Sequence, residues 1–100
     1  MLKDIFKTKT KNEVSSIVDL ARKIADNSNN PMSIDQIKGK FELNFPFSVR
    51  KVTNPHNGII PINDRITIFE FHPEKPGQYL IQWGDKKGVT EGSTEQWVLV

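Results

Sequence analysis

Apolar positions recur at two different periods along this chain, and the change from one to the other divides it. Val14, Ile17, Val18, Ala21, Ile24 and Ala25 stand three and four apart, as on one helical face, with Asp19, Arg22, Lys23 and Asp26 opposite. The spacing predicts a helix over Glu13 to Asp26 whose apolar face packs on a sheet. Thr10-Lys11-Asn12-Glu13 fits a capping box at its start, in which the hydroxyl and the carboxylate satisfy free backbone N–H groups. Asn27 to Pro31 ends it, because Asn and Ser side chains compete for backbone hydrogen bonds and proline cannot continue the ladder. A second capping box, Ser33-Ile34-Asp35-Gln36, opens a shorter helix with Ile34, Ile37 and Phe41 inward, and Gly39 weakens its last turn. Leu2, Ile5 and Phe6 also share a helical face, enough for one short docking turn.

From Asp64 onward the period becomes two. Ile66 to Phe71 is rich in β-branched and aromatic residues, Gln78 to Trp83 sets Tyr79, Ile81 and Trp83 on one face, and Trp97 to Val100 ends the chain. The stretch from His72 to Gly77, with two prolines, joins the first two strands. Gly84 to Glu95 is expected to be a longer loop before the last. Phe45 to Thr53 fits both periods: Phe45, Phe47 and Val49 alternate, while Phe45, Val49 and Val52 repeat as in a helix. The strand reading is preferred. Asn54 to Gly58 is a turn by composition. The fold class expected is therefore α+β, with N-terminal helices packed on a C-terminal antiparallel β-meander of three to four strands, as one domain over residues 1–100.

Charge adds one feature to this picture. The net charge is only +2, but residues 1–50 carry nine Lys and Arg against six acidic residues, while residues 51–100 carry five against six. Lys3, Lys7, Lys9 and Lys11 face only Asp4, so residues 1–11 form a basic arm. Cysteine is absent, which excludes disulfides, thiolate metal sites and cysteine nucleophiles. No apolar run approaches the roughly 20 residues that span a bilayer, and none follows the first lysines as a secretion signal requires. A cytoplasmic protein with no membrane association is the expectation, of a bacterial or phage kind, and the Lys- and Asn-rich composition suits an AT-rich gene, compatible with a mobile-element origin.

Catalytic patterns are missing. The two histidines, His56 and His72, each neighbour a proline in a loop, and neither has metal-ligand spacing. Glu70, His72 and Glu74 alternate near a strand end and would form an acid–base or metal set only if the hairpin bent them together. No phosphate-binding glycine loop or nucleophile elbow is present; Gly84-Asp85-Lys86-Lys87-Gly88 matches neither. No cofactor is expected.

Two binding patterns remain. If residues 46–53 were helical, Ser33 to Phe41, a turn at Glu42 to Asn44 and this helix would make a helix-turn-helix. Ser48, Arg50, Lys51 and Asn54 would then be exposed to read nucleic acid. With the hairpin of residues 66–83 as a wing, the element order resembles a winged-helix domain. The other pattern is aromatic. Trp83 and Trp97 fall on strands expected to be neighbours, close to Lys86 and Lys87, and tryptophan is over-represented among residues that anchor interfaces. The leading expectation is a small non-enzymatic module of the inhibitor, immunity or adaptor kind that binds a larger protein, with Trp83, Lys86, Lys87 and Trp97 as partner contacts; a winged-helix nucleic-acid binder is the alternative.

Overall fold

The computed structural model describes residues 11–100, with side chains from Ser16 onward. The Leu2–Phe6 turn, the basic arm ahead of Lys11 and the Thr10 cap lie outside the described residues. The architecture is α+β. Helices α1 (Lys11–Asn29) and α2 (Ile34–Lys40) precede strands β1 (Phe47–Lys51), β2 (Arg65–Phe71), β3 (Gln78–Trp83), β4 (Lys86–Glu91) and β5 (Trp97–Leu99). The strands form one antiparallel sheet in the order β4-β3-β2-β1-β5, so the last strand returns to lie beside the first.

The sheet has five strands where three to four are expected, and the additional one is β4. Lys86-Lys87-Gly88-Val89-Thr90-Glu91 is mostly exposed and poor in strand-forming side chains, so no alternation marks it. Backbone pairing with β3 makes it a strand. Trp83 pairs with Lys86 across a two-residue turn, and Gly84 supplies the left-handed backbone (φ 60°) that such a turn requires. Its charged side chains suit a free edge, where lysine discourages pairing with another chain.

Residues 47–51 are a strand, so the recognition helix of a winged-helix reading is not present. Cross-strand bonding decided between the two periods: Phe47 to Arg50 pair with Ile68 to Arg65, and Val49 to Lys51 pair with Leu99 to Trp97. Phe47, Val49 and Lys51 consequently all point into the protein. Phe47 and Val49 join Ile66 and Ile68 of β2, Tyr79 and Ile81 of β3, and Ile34 and Ile37 of α2 in one core. The register slips between Ile68 and Glu70, and beyond that slip Phe71 stands opposite Tyr79. The Phe71 ring stacks on Tyr79 and meets the edge of Phe45.

α2 is held by its cap, by the packing of Ile34 and Ile37 in the core and by a hydrogen bond to the sheet. The Ser33 hydroxyl accepts from the Gln36 amide at 3.1 Å, and the Gln36 side chain accepts from the Ser33 amide at 2.9 Å. The Tyr79 hydroxyl donates to Asp35, while the Asp35 amide donates to the Gly92 carbonyl at 3.0 Å. Burial first, and then the hydrogen bond to Asp35, push the Tyr79 phenol well above its ordinary range.

α1 departs from its expected packing. Ile17 is 61% exposed and Ile24 48%, and Val18, Leu20 and Ala21 are exposed as well. The helical period is real, but the face it marks does not cover the sheet. From Ser16 to Asn29, Asn27 alone is buried, in the last turns. Among the described residues, no helix is long and apolar enough to cross a membrane.

Candidate functional site

β1 runs Phe47, Val49, Lys51 along its inward face, and the third of these is a cation. Its backbone is fixed on both sides: the Lys51 amide donates to the Asp64 carbonyl at 2.9 Å, and its carbonyl accepts from Asn63 at 2.7 Å. Directly opposite Lys51, on β5, stands Trp97. Lys51 is 2% exposed and Trp97 0%. Cross-strand neighbours on one face hold their side chains side by side, so a buried cation and a buried indole share this end of the sheet.

The segment between β1 and β2 folds over them. Asn54 and Gly58 clasp it shut, Nδ2 donating to the Gly58 carbonyl at 3.1 Å and Oδ1 accepting from the Gly58 amide at 2.8 Å. This clasp brings Gly58 against the lysine: a methyl group on Gly58 would lie 3.1 Å from Lys51 Nζ. Beyond Gly58, Ile60 enters the core and Ile59 projects, 85% exposed.

A cavity of about 680 Å³ opens between this segment and strands β3, β4 and β5. Ile60, Ile81 and Trp83 give it apolar walls, Lys51 and Trp97 line its buried part, and Lys86 and Lys87 come from exposed β4. Trp83 is fixed by its indole N–H, which donates to Asp64 at 2.9 Å, and the Lys86 ammonium lies 5.7 Å from the centre of its ring. His56 also reaches the wall, and Glu91 is its one carboxylate against three lysines. The volume is that of an ordinary small-molecule or side-chain pocket.

The polar inventory of this cavity does not balance. Among the described residues no carboxylate lies within 4.0 Å of Lys51, and no hydrogen bond is made by its Nζ. Burial pushes its ammonium below the ordinary lysine range. Trp97 Nε1 is fully buried without an acceptor among the described residues. An unsatisfied buried donor costs roughly 1–3 kcal/mol, and more when it is charged.

All four residues expected at a partner contact, Trp83, Lys86, Lys87 and Trp97, line this one cavity. The two tryptophans are not on adjacent strands, since β5 joins β1 and two strands separate it from β3. They face each other's space through the cavity instead of pairing across the sheet. Of the residues set out for nucleic acid, only Lys51 belongs here, and it is buried. Ser48 hydrogen-bonds Thr67 at 3.3 Å, Arg50 donates to Asn63 at 3.2 Å, and Asn54 holds the loop. Lys51 was legible as an inward residue once 47–51 is read as a strand, because period two carries Phe47 and Val49 on to it.

Glu70, His72 and Glu74 do not form a set. His72 Nδ1 accepts from the amides of Glu74 and Lys75, both at 3.0 Å, and so organises its own turn. No group of three or more His, Asp and Glu residues among those described is placed to hold a metal ion. No protein family, curated protein or solved structure matches this chain.

Proposed function

We propose that this chain is a non-enzymatic protein-binding module that docks a larger partner through α1. The observation that carries this reading is the uncovered apolar stripe of that helix. Ile17, Val18, Leu20, Ala21 and Ile24 are exposed together on an element whose last turns, at Asn27, join the sheet. Polar Asp19 and Lys23 pair at 3.4 Å along another side, so the helix is amphipathic with its apolar half exposed among the described residues. A lone helix of this length is marginal in water and takes its stability from burying such a face. A helix laid in a groove, with anchors at positions i, i+3, i+4 and i+7, is a recurrent mode of protein recognition. Ile17, Leu20, Ala21 and Ile24 fit that spacing.

The test compares the full chain with an Ile17→Ser/Leu20→Ser/Ile24→Ser variant. Both are expected to be folded monomers by light scattering and circular dichroism. From nuclease-treated extract of the source cell, the wild type should retain one protein at one-to-one stoichiometry and the variant should not. Equal recovery by both proteins, or retention only before nuclease treatment, overturns the reading.

A further inference from the structure

The cavity between β1, β3, β4 and β5 rests on observations independent of α1. We propose that it is a receptor for a carboxylate carried on an apolar body, with Lys51 and Trp97 Nε1 as the groups that bind the anion. Three features converge on this ligand chemistry. First, the Trp97 indole N–H is buried without a partner among the described residues, and the buried residue paired directly opposite it, Lys51, brings an ammonium that makes no ion pair or hydrogen bond with them. An acceptor supplied from outside satisfies both, and a negative one satisfies the charge. Secondly, the walls contributed by Ile60, Ile81 and Trp83 are apolar and aromatic, which suits a hydrocarbon or aryl body and not a bare inorganic anion. Thirdly, Lys86 and Lys87 outnumber Glu91 on β4, so the field at the entrance favours an anion.

Gly58 packs against the lysine head, so closely that even a methyl group there would press on Nζ. Such a carboxylate has two sources, a free small molecule or the end or acidic side chain of a bound polypeptide, and the chemistry of recognition is the same for both.

The test uses the full chain and its own reporters, since Trp83 and Trp97 are the only tryptophans and both line the cavity. Tryptophan fluorescence and calorimetry are followed with hydrocinnamate, with its neutral amide hydrocinnamamide, and with a short peptide ending in a free phenylalanine carboxylate. Saturable binding of hydrocinnamate or of the peptide is expected, weakened roughly 10- to 100-fold in the amide and in Lys51→Met, as befits the loss of a charged hydrogen bond. Trp97→Phe should weaken it less, by about 10-fold, and both variants should keep the wild-type circular dichroism. Tighter binding of the peptide identifies a polypeptide as the source; tighter binding of hydrocinnamate identifies a small molecule. The proposal is overturned if neither probe saturates, if the amide binds as well as the acid, or if a folded Lys51→Met binds like the wild type. The wild-type comparison of acid with amide decides the matter even if a variant fails to fold.

Discussion

Asn27 uses its side chain as a strand edge for Trp97: Nδ2 donates to the Trp97 carbonyl at 3.2 Å, while Oδ1 accepts from the Leu99 amide two residues on, at 2.8 Å. The amide group thus meets β5 with one donor and one acceptor, as a neighbouring backbone would. Met32 completes the cover, exchanging two backbone bonds of 2.9 Å with Trp97. β5 therefore has β1 on one side and a polar seal on the other, and the hazard of an open edge strand is removed there.

Replacing Asn27 by Ala removes both bonds; the Trp97 carbonyl keeps the Met32 amide, but the Leu99 amide is left without its acceptor. A loss of about 1–3 kcal/mol is expected in denaturant unfolding, with faster hydrogen exchange at Leu99. Asn27→Asp keeps the acceptor and should recover part of the loss. Stability equal to wild type in the Ala variant would show that the seal contributes nothing.

Ile17 offers the opposite case. Were its face packed on the sheet, Ile17→Ala would cost roughly 2–5 kcal/mol. At 61% exposure the expected cost is under about 0.5 kcal/mol, measured on the monomer. A larger loss would place this residue in the core.

The contrast between these two residues shows what the sequence made legible. Periodicity located α1, α2, β2, β3 and β5 closely, because apolar spacing and the capping box at Ser33 are local signals. It did not reveal what covers a face. Ile17 and Ile24 mark an amphipathic helix equally well whether a sheet or an absent partner lies against it. β4 was hidden for a related reason: Lys86 to Glu91 carries an edge strand's exposed charge, and its strand character comes from β3. The candidate site was half legible. Trp83, Lys86, Lys87 and Trp97 stood out as residue types, but their meeting with Lys51 depends on β5 returning to β1, a long-range pairing that no local pattern encodes.

Gly92 is required where α2 meets the sheet. A methyl group there would overlap the Tyr79 ring and lie 2.6 Å from Asp35 Oδ1, between the two partners of the hydrogen bond that holds α2. Gly92 also donates to the Gly77 carbonyl at 2.8 Å, so its backbone has little freedom to retreat. Gly92→Ala is expected to cost about 1–3 kcal/mol by thermal or denaturant unfolding, as overpacking generally does. The loss should be smaller in a Tyr79→Phe background, because the hydrogen bond the methyl group disturbs is already gone. Equal losses in the two backgrounds would rule out that mechanism.

Lys51 makes the last prediction, in which stability and binding pull in opposite directions. Desolvation lowers its folded pKa below the ordinary value of 10.5, so between those two values the unfolded chain binds more protons. Stability held back by this lysine therefore returns as pH rises through that window, and the penalty is full below it. Lys51→Met keeps the hydrocarbon stem and deletes the charge, so at pH 7 it should stabilise the protein, because the desolvation that lowers the lysine's pKa is no longer incurred. The gain should shrink as pH approaches 10.5. Tyr79 works in the reverse sense: its raised folded pKa makes stability fall as pH rises beyond about 10, where the unfolded phenol ionises. That loss is common to both proteins and cancels in their difference, so paired melts from pH 6 to 10.5 isolate the lysine. If the same variant is more stable and no longer takes hydrocinnamate, the unpaired ammonium is a stability cost kept for binding. A variant less stable than wild type at pH 7, or a difference that does not change with pH, would mean that Lys51 is satisfied in the folded protein and carries no such cost.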